Sequence, residues 1–294
     1  MTDYAALEAA VIGWLQPRQD VRLAVVVGSR AILPGQPSYR ADAASDLDVV
    51  AFTTDPARYV PDGAWLAQFG EVWVAHLDMN SGPYPEWLVV YAGGLDFDIM
   101  FVPAPPDFGP AHVLAEFSNR TRARGFRVLI DRDGILPRLP EPALLPPDPP
   151  TAAAFETLVT GFWRYAERTA KKLQRGELWT AQRLGWNILK TGMLRLVEWG
   201  ALVQRAEVDT WYGGRFVERW GDAQFVAALP DLLPRYAAAE QWRALLATLA
   251  QFDRLARDVA AFYGFTYPTP GILALHEWLR GQAPAGDDQP PGDS

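Results

Sequence analysis

The spacing of hydrophobic positions changes character midway along the chain. In the first half, short apolar runs alternate with polar turns. In the second, apolar residues recur every three to four positions, as on the buried face of a helix. A helix is expected over 3–16. Val21–Val27 (VRLAVVV) is nearly all apolar, which suits a strand buried on both faces. Further strands are expected at Asp46–Phe52, Glu71–Leu77, Trp87–Tyr91, Leu95–Val102 and Phe126–Ile130. Ala92-Gly93-Gly94 joins two of them with a hairpin signal, so the sheet should be mixed. Helices are expected at 152–175, 178–203, 222–229, 237–263 and 270–280. Leu184, Ile188, Leu189, Met193, Leu196 and Val197 carry the helical spacing. Trp163, Trp186, Trp199, Trp220 and Trp242 are assigned to packing, the usual fate of a Trp stripe on helices.

These patterns predict an α+β chain. A mixed sheet flanked by helices over 1–136 would precede a helical bundle domain over 151–280. Between them, 137–150 holds seven prolines and reads as an extended linker. The stretch 281–294 (GQAPAGDDQPPGDS) is expected to be disordered. The 294 residues suit about two domains.

Composition narrows the function classes. There is no cysteine, which excludes disulfides, thiolate metal sites and cysteine nucleophiles. No apolar run approaches the ~18 residues of a membrane helix. Met1-Thr2-Asp3-Tyr4 opens no secretory signal, so a soluble cytoplasmic protein is expected, with no membrane partner. The net charge of −8 argues against nonspecific nucleic-acid binding. Residues 1–150 carry 19 Asp and Glu against 11 Lys and Arg, whereas 151–294 carry 16 of each. The acidic excess therefore lies wholly in the first half, where it could serve solubility, metal ions or a cationic ligand.

The chemistry begins at Gly28-Ser29-Arg30, directly after the first strand. Glycine permits a sharp turn and a close approach to a ligand. Serine and arginine suit phosphate oxygens. Alone, this would be an ordinary turn. Next, Asp46 and Asp48 are two residues apart at the head of an apolar strand, so both project to one side. Two carboxylates about 4 Å apart repel by about 4 kcal/mol at an effective dielectric of 20. A proton, an arginine or a divalent cation must offset that. Asp96 and Asp98 repeat the pattern on another apolar strand, although acids are poor strand formers. Asp98 would complete a three-carboxylate cluster if the strands are neighbours, and Asp96 is equally placed by spacing.

Together, a strand ending in Gly-Ser, an Asp-x-Asp strand and a third acidic strand resemble the nucleotidyltransferases of the DNA polymerase β superfamily. Gly28-Ser29-Arg30, Ser45-Asp46-Leu47-Asp48 and Phe97-Asp98-Ile99-Met100-Phe101 are similar to the aminoglycoside 6-adenylyltransferase (streptomycin adenylyltransferase) family. So are Phe162-Trp163 with Ala170-Lys171-Lys172-Leu173, Leu196-Val197-Glu198-Trp199, and Tyr263-Gly264-Phe265-Thr266-Tyr267-Pro268. The likeness runs to about residue 280. Two departures bear on nucleotide and acceptor preference. The stretch from Arg30 to Ser45 is longer than the family's usual connection, and the Trp often found before the carboxylate pair is missing.

The resemblance implies transfer of AMP from ATP to a hydroxyl of a streptomycin-like aminoglycoside, a cationic small molecule, with release of pyrophosphate. Two Mg²⁺ ions would be held by Asp46, Asp48 and Asp98. Gly28, Ser29 and Arg30 would hold the triphosphate, with Lys171 and Lys190 assisting. Only three lysines occur beside 24 arginines, so a retained lysine suggests a need for a compact ammonium. For proton acceptance, Asp96, Glu86 and Glu116 are the available carboxylates, Asp96 being nearest in sequence to the metal strand. A monomer or small homo-oligomer is expected. The alternatives are a nucleotidyltransferase acting on another small-molecule or protein hydroxyl, and a non-catalytic nucleotide-binding module.

Overall fold

In a computed structural model, the structure describes residues 3–31, 41–79, 83–117, 119–142, 149–204, 210 and 213–284. Most of the long Arg30–Ser45 connection, the middle of the proline-rich stretch and most of the C-terminal tail lie outside the described residues. The chain divides into two compact units, Met1–Leu145 and Pro146–Ser294.

The first unit is built on six strands: β1 (Val21–Val27), β2 (Leu47–Thr53), β3 (Val72–Asp78), β4 (Glu86–Tyr91), β5 (Leu95–Pro103) and β6 (Arg127–Asp131). Their order across the sheet is β3-β4-β5-β2-β1-β6. Every neighbouring pair is antiparallel except β2 and β5, which run parallel, so the sheet is mixed. The β4–β5 hairpin turns through Gly93 and Gly94, both at positive φ, a conformation glycine enters without steric cost.

Helix α1 (Tyr4–Leu15) starts at Asp3, whose carboxylate accepts from the Ala6 amide at 2.8 Å. It buries Leu7, Val11 and Leu15 on one face of the sheet against Val26, Val49 and Phe97. The turn Gly63–Phe69 covers the same face, where Trp65 stacks on Trp14 at 4.5 Å. On the other face, Leu23, Val25, Val50 and Phe52 pack with Val113 of α2 (Pro110–Glu116) and with Phe117. This two-sided burial explains why β1 and β2 read as continuous apolar runs. A short helix, α3 (Asn119–Arg124), leads into β6.

The second unit is helical: α4 (Ala152–Gln174), α5 (Leu178–Leu184), a π-helical turn (Gly185–Lys190), α6 (Thr191–Gln204), α7 (Val217–Trp220), α8 (Ala223–Leu232), α9 (Ala238–Tyr263) and α10 (Pro270–Gly281). Thr151 caps α4 by accepting from the Ala154 amide at 3.1 Å. Helices α4 and α9 meet through Phe162 stacked on Phe252. Gly264, at φ +73°, ends α9. Tyr267 then accepts from Trp163 Nε1 at 3.2 Å and donates to Asp253 at 2.9 Å.

Three expectations need correction. The helix expected over 178–203 is interrupted by the π-helical turn. That turn breaks the α-helical phase, and Trp186 is 60% exposed rather than packed. Asp46 precedes β2 rather than opening it. At the start of the 137–150 stretch read as extended linker, Pro137 and Arg138 belong to a 3-10 turn, Leu136–Arg138, which proline tolerates at its first positions.

Candidate active site

Strand register decides which acids meet. Asp48 on β2 lies opposite Val27 of β1 on one side and Asp98 of β5 on the other. Because β2 and β5 are parallel and adjacent, Asp48 and Asp98 stand side by side on one face of the sheet. Asp46, two residues earlier, joins them. Each of the three offers a carboxylate oxygen within 4.8 Å of the others. Asp96, the alternative that spacing allowed, is exposed and outside this trio.

The trio is electrostatically costly. Burial, reinforced by Asp46, Glu86 and Asp96, pushes the Asp48 carboxyl up to about 7, with Arg30 opposing. Burial and then Asp48, Asp96, Glu86 and Asp46 push Asp98 up to about 7. The carboxyl of Asp96 is also raised, by desolvation and by Asp46. That of Glu86, at the head of β4, is raised by burial and by Asp78. Oxygen-only donors sharing excess negative charge suit a hard divalent cation such as Mg²⁺.

The Gly28–Ala31 turn follows β1 and brings the chain against these acids. Gly28 has φ +68°, and a Cβ there would lie 2.1 Å from Asp48 Oδ2. Only glycine fits. Ser29 Oγ is buried with no hydrogen-bond partner among the described residues. A buried hydroxyl left unpaired is uncommon and marks a place where a ligand acceptor would be satisfied.

Arg30 turns to the backbone of the acidic segment. Its Nε donates to the carbonyls of Asp46 at 2.9 Å and Ser45 at 3.2 Å. Its Nη2 donates to Ser45 at 2.7 Å and Asp42 at 3.1 Å. The guanidinium also sits 3.5 Å over the Tyr4 ring. It therefore anchors the approach to Asp46, and any contact with phosphate would be additional. Tyr4 was not singled out by the sequence. Its hydroxyl accepts from the Asp96 amide at 3.1 Å, so α1 braces both ends of the site. A tyrosine in an amphipathic first turn carries no signal of that role.

Of the other acids, Glu116 accepts from the Tyr84 hydroxyl at 2.7 Å, whereas Glu86 interacts with both Asp48 and Asp98. Lys171 and Lys190 belong to the second unit. Lys171 pairs with Glu167 one turn earlier, and Lys190 donates to Thr248 Oγ1. Lys172 pairs with Glu177 at 2.6 Å. His112 Nδ1 accepts from the Gly109 amide, and His276 packs on Trp163, so both serve structure. Among the described residues no helix is long and apolar enough to cross a membrane.

An aminoglycoside 6-adenylyltransferase of Campylobacter jejuni is 21% identical over 267 residues, covering 88% of each chain. One of Bacillus subtilis is 21% identical over 264 residues, covering 84% of this chain and 87% of that one. A crystal structure of an aminoglycoside 6-adenyltransferase from Bacillus subtilis aligns with a TM-score of 0.45 at 18% identity, covering 96% of this chain and 97% of that one. The family model for streptomycin adenylyltransferase matches residues 1–280, and this chain belongs to that family of nucleotidyltransferases.

Proposed function

We propose that the protein moves AMP from ATP to a hydroxyl of a streptomycin-like aminoglycoside, releasing pyrophosphate, with two Mg²⁺ ions held by Asp46, Asp48 and Asp98. The observation that carries this reading is the carboxylate trio beside a turn where a side chain at Gly28 would displace Asp48. Family membership supplies the reaction class. The metal's fit rests on the donor set. Three oxygens share a charge that burial alone makes unfavourable, and a cation would let all three ionise. Bound Mg²⁺ supplies neutralisation of charge at the α-phosphorus and acidification of the acceptor hydroxyl.

The chain's own groups do the rest. Backbone N–H groups of the Gly28–Ser29 turn and the unpaired Ser29 Oγ donate to the β- and γ-phosphates. Arg30 holds the segment bearing Asp46 in place through four bonds to carbonyl oxygens. Glu86 takes the proton of the attacking hydroxyl. Its raised pKa, caused chiefly by burial, brings it closer to neutral working pH, where a general base is most effective. Asp96 stands near Asp46 at the open side, where an exposed carboxylate suits the guanidinium groups of a cationic acceptor. The acidic first half favours the approach of such an acceptor.

The test is direct. The protein is incubated with ATP, Mg²⁺ and a panel of aminoglycosides, and each product is weighed for one added AMP while pyrophosphate is assayed. The expected result is modification of streptomycin and no product without Mg²⁺. Transfer to a protein hydroxyl, or Mg²⁺-dependent ATP binding without any transfer, would refute the acceptor assignment. Undiminished transfer by Asp48→Ala would refute the metal assignment.

A further inference from the structure

Within the helical unit, a cavity of about 200 Å³ is lined by α4, α5, the π-helical turn and α9. Its walls are mainly apolar, with Leu173, Leu189 and Leu245 prominent. Thr169, Gln182, Lys190, Gln241 and Thr248 interrupt them, and two of these, Lys190 and Gln241, are left with unmet polar demands. Lys190 enters from the last position of the π-helical turn and donates to Thr248 Oγ1. That oxygen already donates to the Ala244 carbonyl at 2.6 Å, so it satisfies one ammonium hydrogen and neutralises no charge. Among the described residues no carboxylate lines the cavity, and desolvation pushes the ammonium down to about 8. The second group is Gln241, only 4% exposed. Its Nε2 donates to Gln182 Oε1 at 3.3 Å, while its own Oε1 has no partner among the described residues.

A largely desolvated cation without a counter-ion and a buried acceptor without a donor, among the described residues, are both costly arrangements. They face one cavity. The backbone there is irregular as well, since a six-residue π-helical turn interrupts the α-helix, and such turns are frequent at functional sites. It leaves Trp186 at the cavity rim, 60% exposed.

We propose that this cavity binds a compact organic anion, with its carboxylate on Lys190, a hydroxyl or N–H donor on Gln241 Oε1, and a short apolar body against Leu173, Leu189 and Leu245. Its volume is below the ~300 Å³ at which drug-sized pockets begin and above the ~150 Å³ that accepts benzene. The body is therefore on the order of one six-membered ring. Lysine suits the head group because its compact ammonium turns freely toward a single anionic oxygen. Every lining residue belongs to the second unit, whereas the carboxylate trio belongs to the first.

The full chain is titrated calorimetrically with 4-hydroxybenzoate, benzoate, 4-hydroxybenzamide, inorganic phosphate, and ATP without Mg²⁺. 4-Hydroxybenzoate should bind saturably and at least ~10-fold more tightly than its amide, which keeps the shape but lacks the charge. Lys190→Met and, separately, the isosteric Thr248→Val should each weaken it at least ~10-fold. Gln241→Leu should abolish the preference for 4-hydroxybenzoate over benzoate. Asp48→Asn, which disables the transfer site, should leave the titration unchanged, so the two readings fail separately. Equal binding of acid and amide, or no saturable binding of either, overturns the proposal. So does phosphate or ATP binding that Lys190→Met abolishes while 4-hydroxybenzoate gives no signal, since that assigns Lys190 to phosphate.

Discussion

Replacing Asp48 by asparagine should stabilise the metal-free protein at the expense of its activity. The structural reason is that Asp48 is a largely buried acid among acids, with its carboxyl raised from 3.8 to about 7. The native state therefore holds this proton more tightly than the unfolded chain does. That contribution to stability is fully present below pH 3.8 and is lost as pH rises through about 7. At 1.36 kcal/mol per unit, the rise from 3.8 to about 7 corresponds to about 4 kcal/mol for Asp48 in isolation. Asp98 titrates in the same window, so ionising either acid makes the other harder to ionise. Water at the open side screens part of the repulsion, and about 3 kcal/mol is expected in practice.

Asparagine keeps the shape and removes the charge. In EDTA at pH 8, Asp48→Asn should be more stable than the parent by about 3 kcal/mol, or roughly 6–12 °C in the melting of a unit this size. At pH 4 the difference should vanish. Mg²⁺ should raise the stability of the parent, by about 2.7 kcal/mol at 100 times its Kd, and hardly affect the variant. Because the chain has two units, hydrogen exchange at β2 and β5 amides is the appropriate readout, with the global melt as support. A variant no more stable than the parent at pH 8, or a gain equally large at pH 4, would refute the account of a strained carboxylate cluster.

Gly28→Ala should cut transfer at least ~100-fold with the circular dichroism spectrum kept, because a Cβ 2.1 Å from Asp48 Oδ2 must displace that carboxylate. Glu86→Gln should lower kcat by ~10²–10⁴-fold with little change in KM for ATP, and Asp96→Asn should instead raise KM for the acceptor. Arg30→Met should raise the Mg²⁺ concentration needed for half-maximal rate, since four carbonyl contacts to the Asp42–Asp46 segment are lost. A kcat loss at saturating Mg²⁺ would assign Arg30 to the phosphates. Below about pH 7, kcat/KM at fixed low Mg²⁺ should fall as protons compete with the cation for Asp48 and Asp98, and added Mg²⁺ should shift that limb to lower pH.

The site was legible where it depends on side-chain type and period, and illegible where it depends on backbone. Period two placed Asp46 with Asp48, and Asp96 with Asp98, on common faces. Spacing left Asp98 and Asp96 equal and only the resemblance implied Asp98; the β2–β5 register is what sets Asp98 beside Asp48. A parallel pair between strands so far apart in sequence leaves no local mark, unlike the Gly93-Gly94 hairpin. Arg30 invited a phosphate role because its side chain is a forked cation. Its partners are carbonyl oxygens of Asp42, Ser45 and Asp46, and every residue type has one. The bracing by Tyr4 is hidden for the same reason, since it acts on the Asp96 amide.

The helical half fails at a single point, and the failure is informative. Trp186 lies three residues before Leu189 and seven before Met193, both buried, so an uninterrupted α-helix would carry it inside. A π-helical turn adds one residue to the cycle and rotates what precedes it off that face. An apolar side chain the size of tryptophan is thereby left 60% in water, a loss that packing alone would not favour. The same turn carries Lys190 into a mainly apolar cavity, where its charge meets no carboxylate among the described residues. An α-helical phase would have cost neither. The irregularity is thus tied to two local disadvantages at once, the pattern expected where a fold accommodates a ligand rather than its own core.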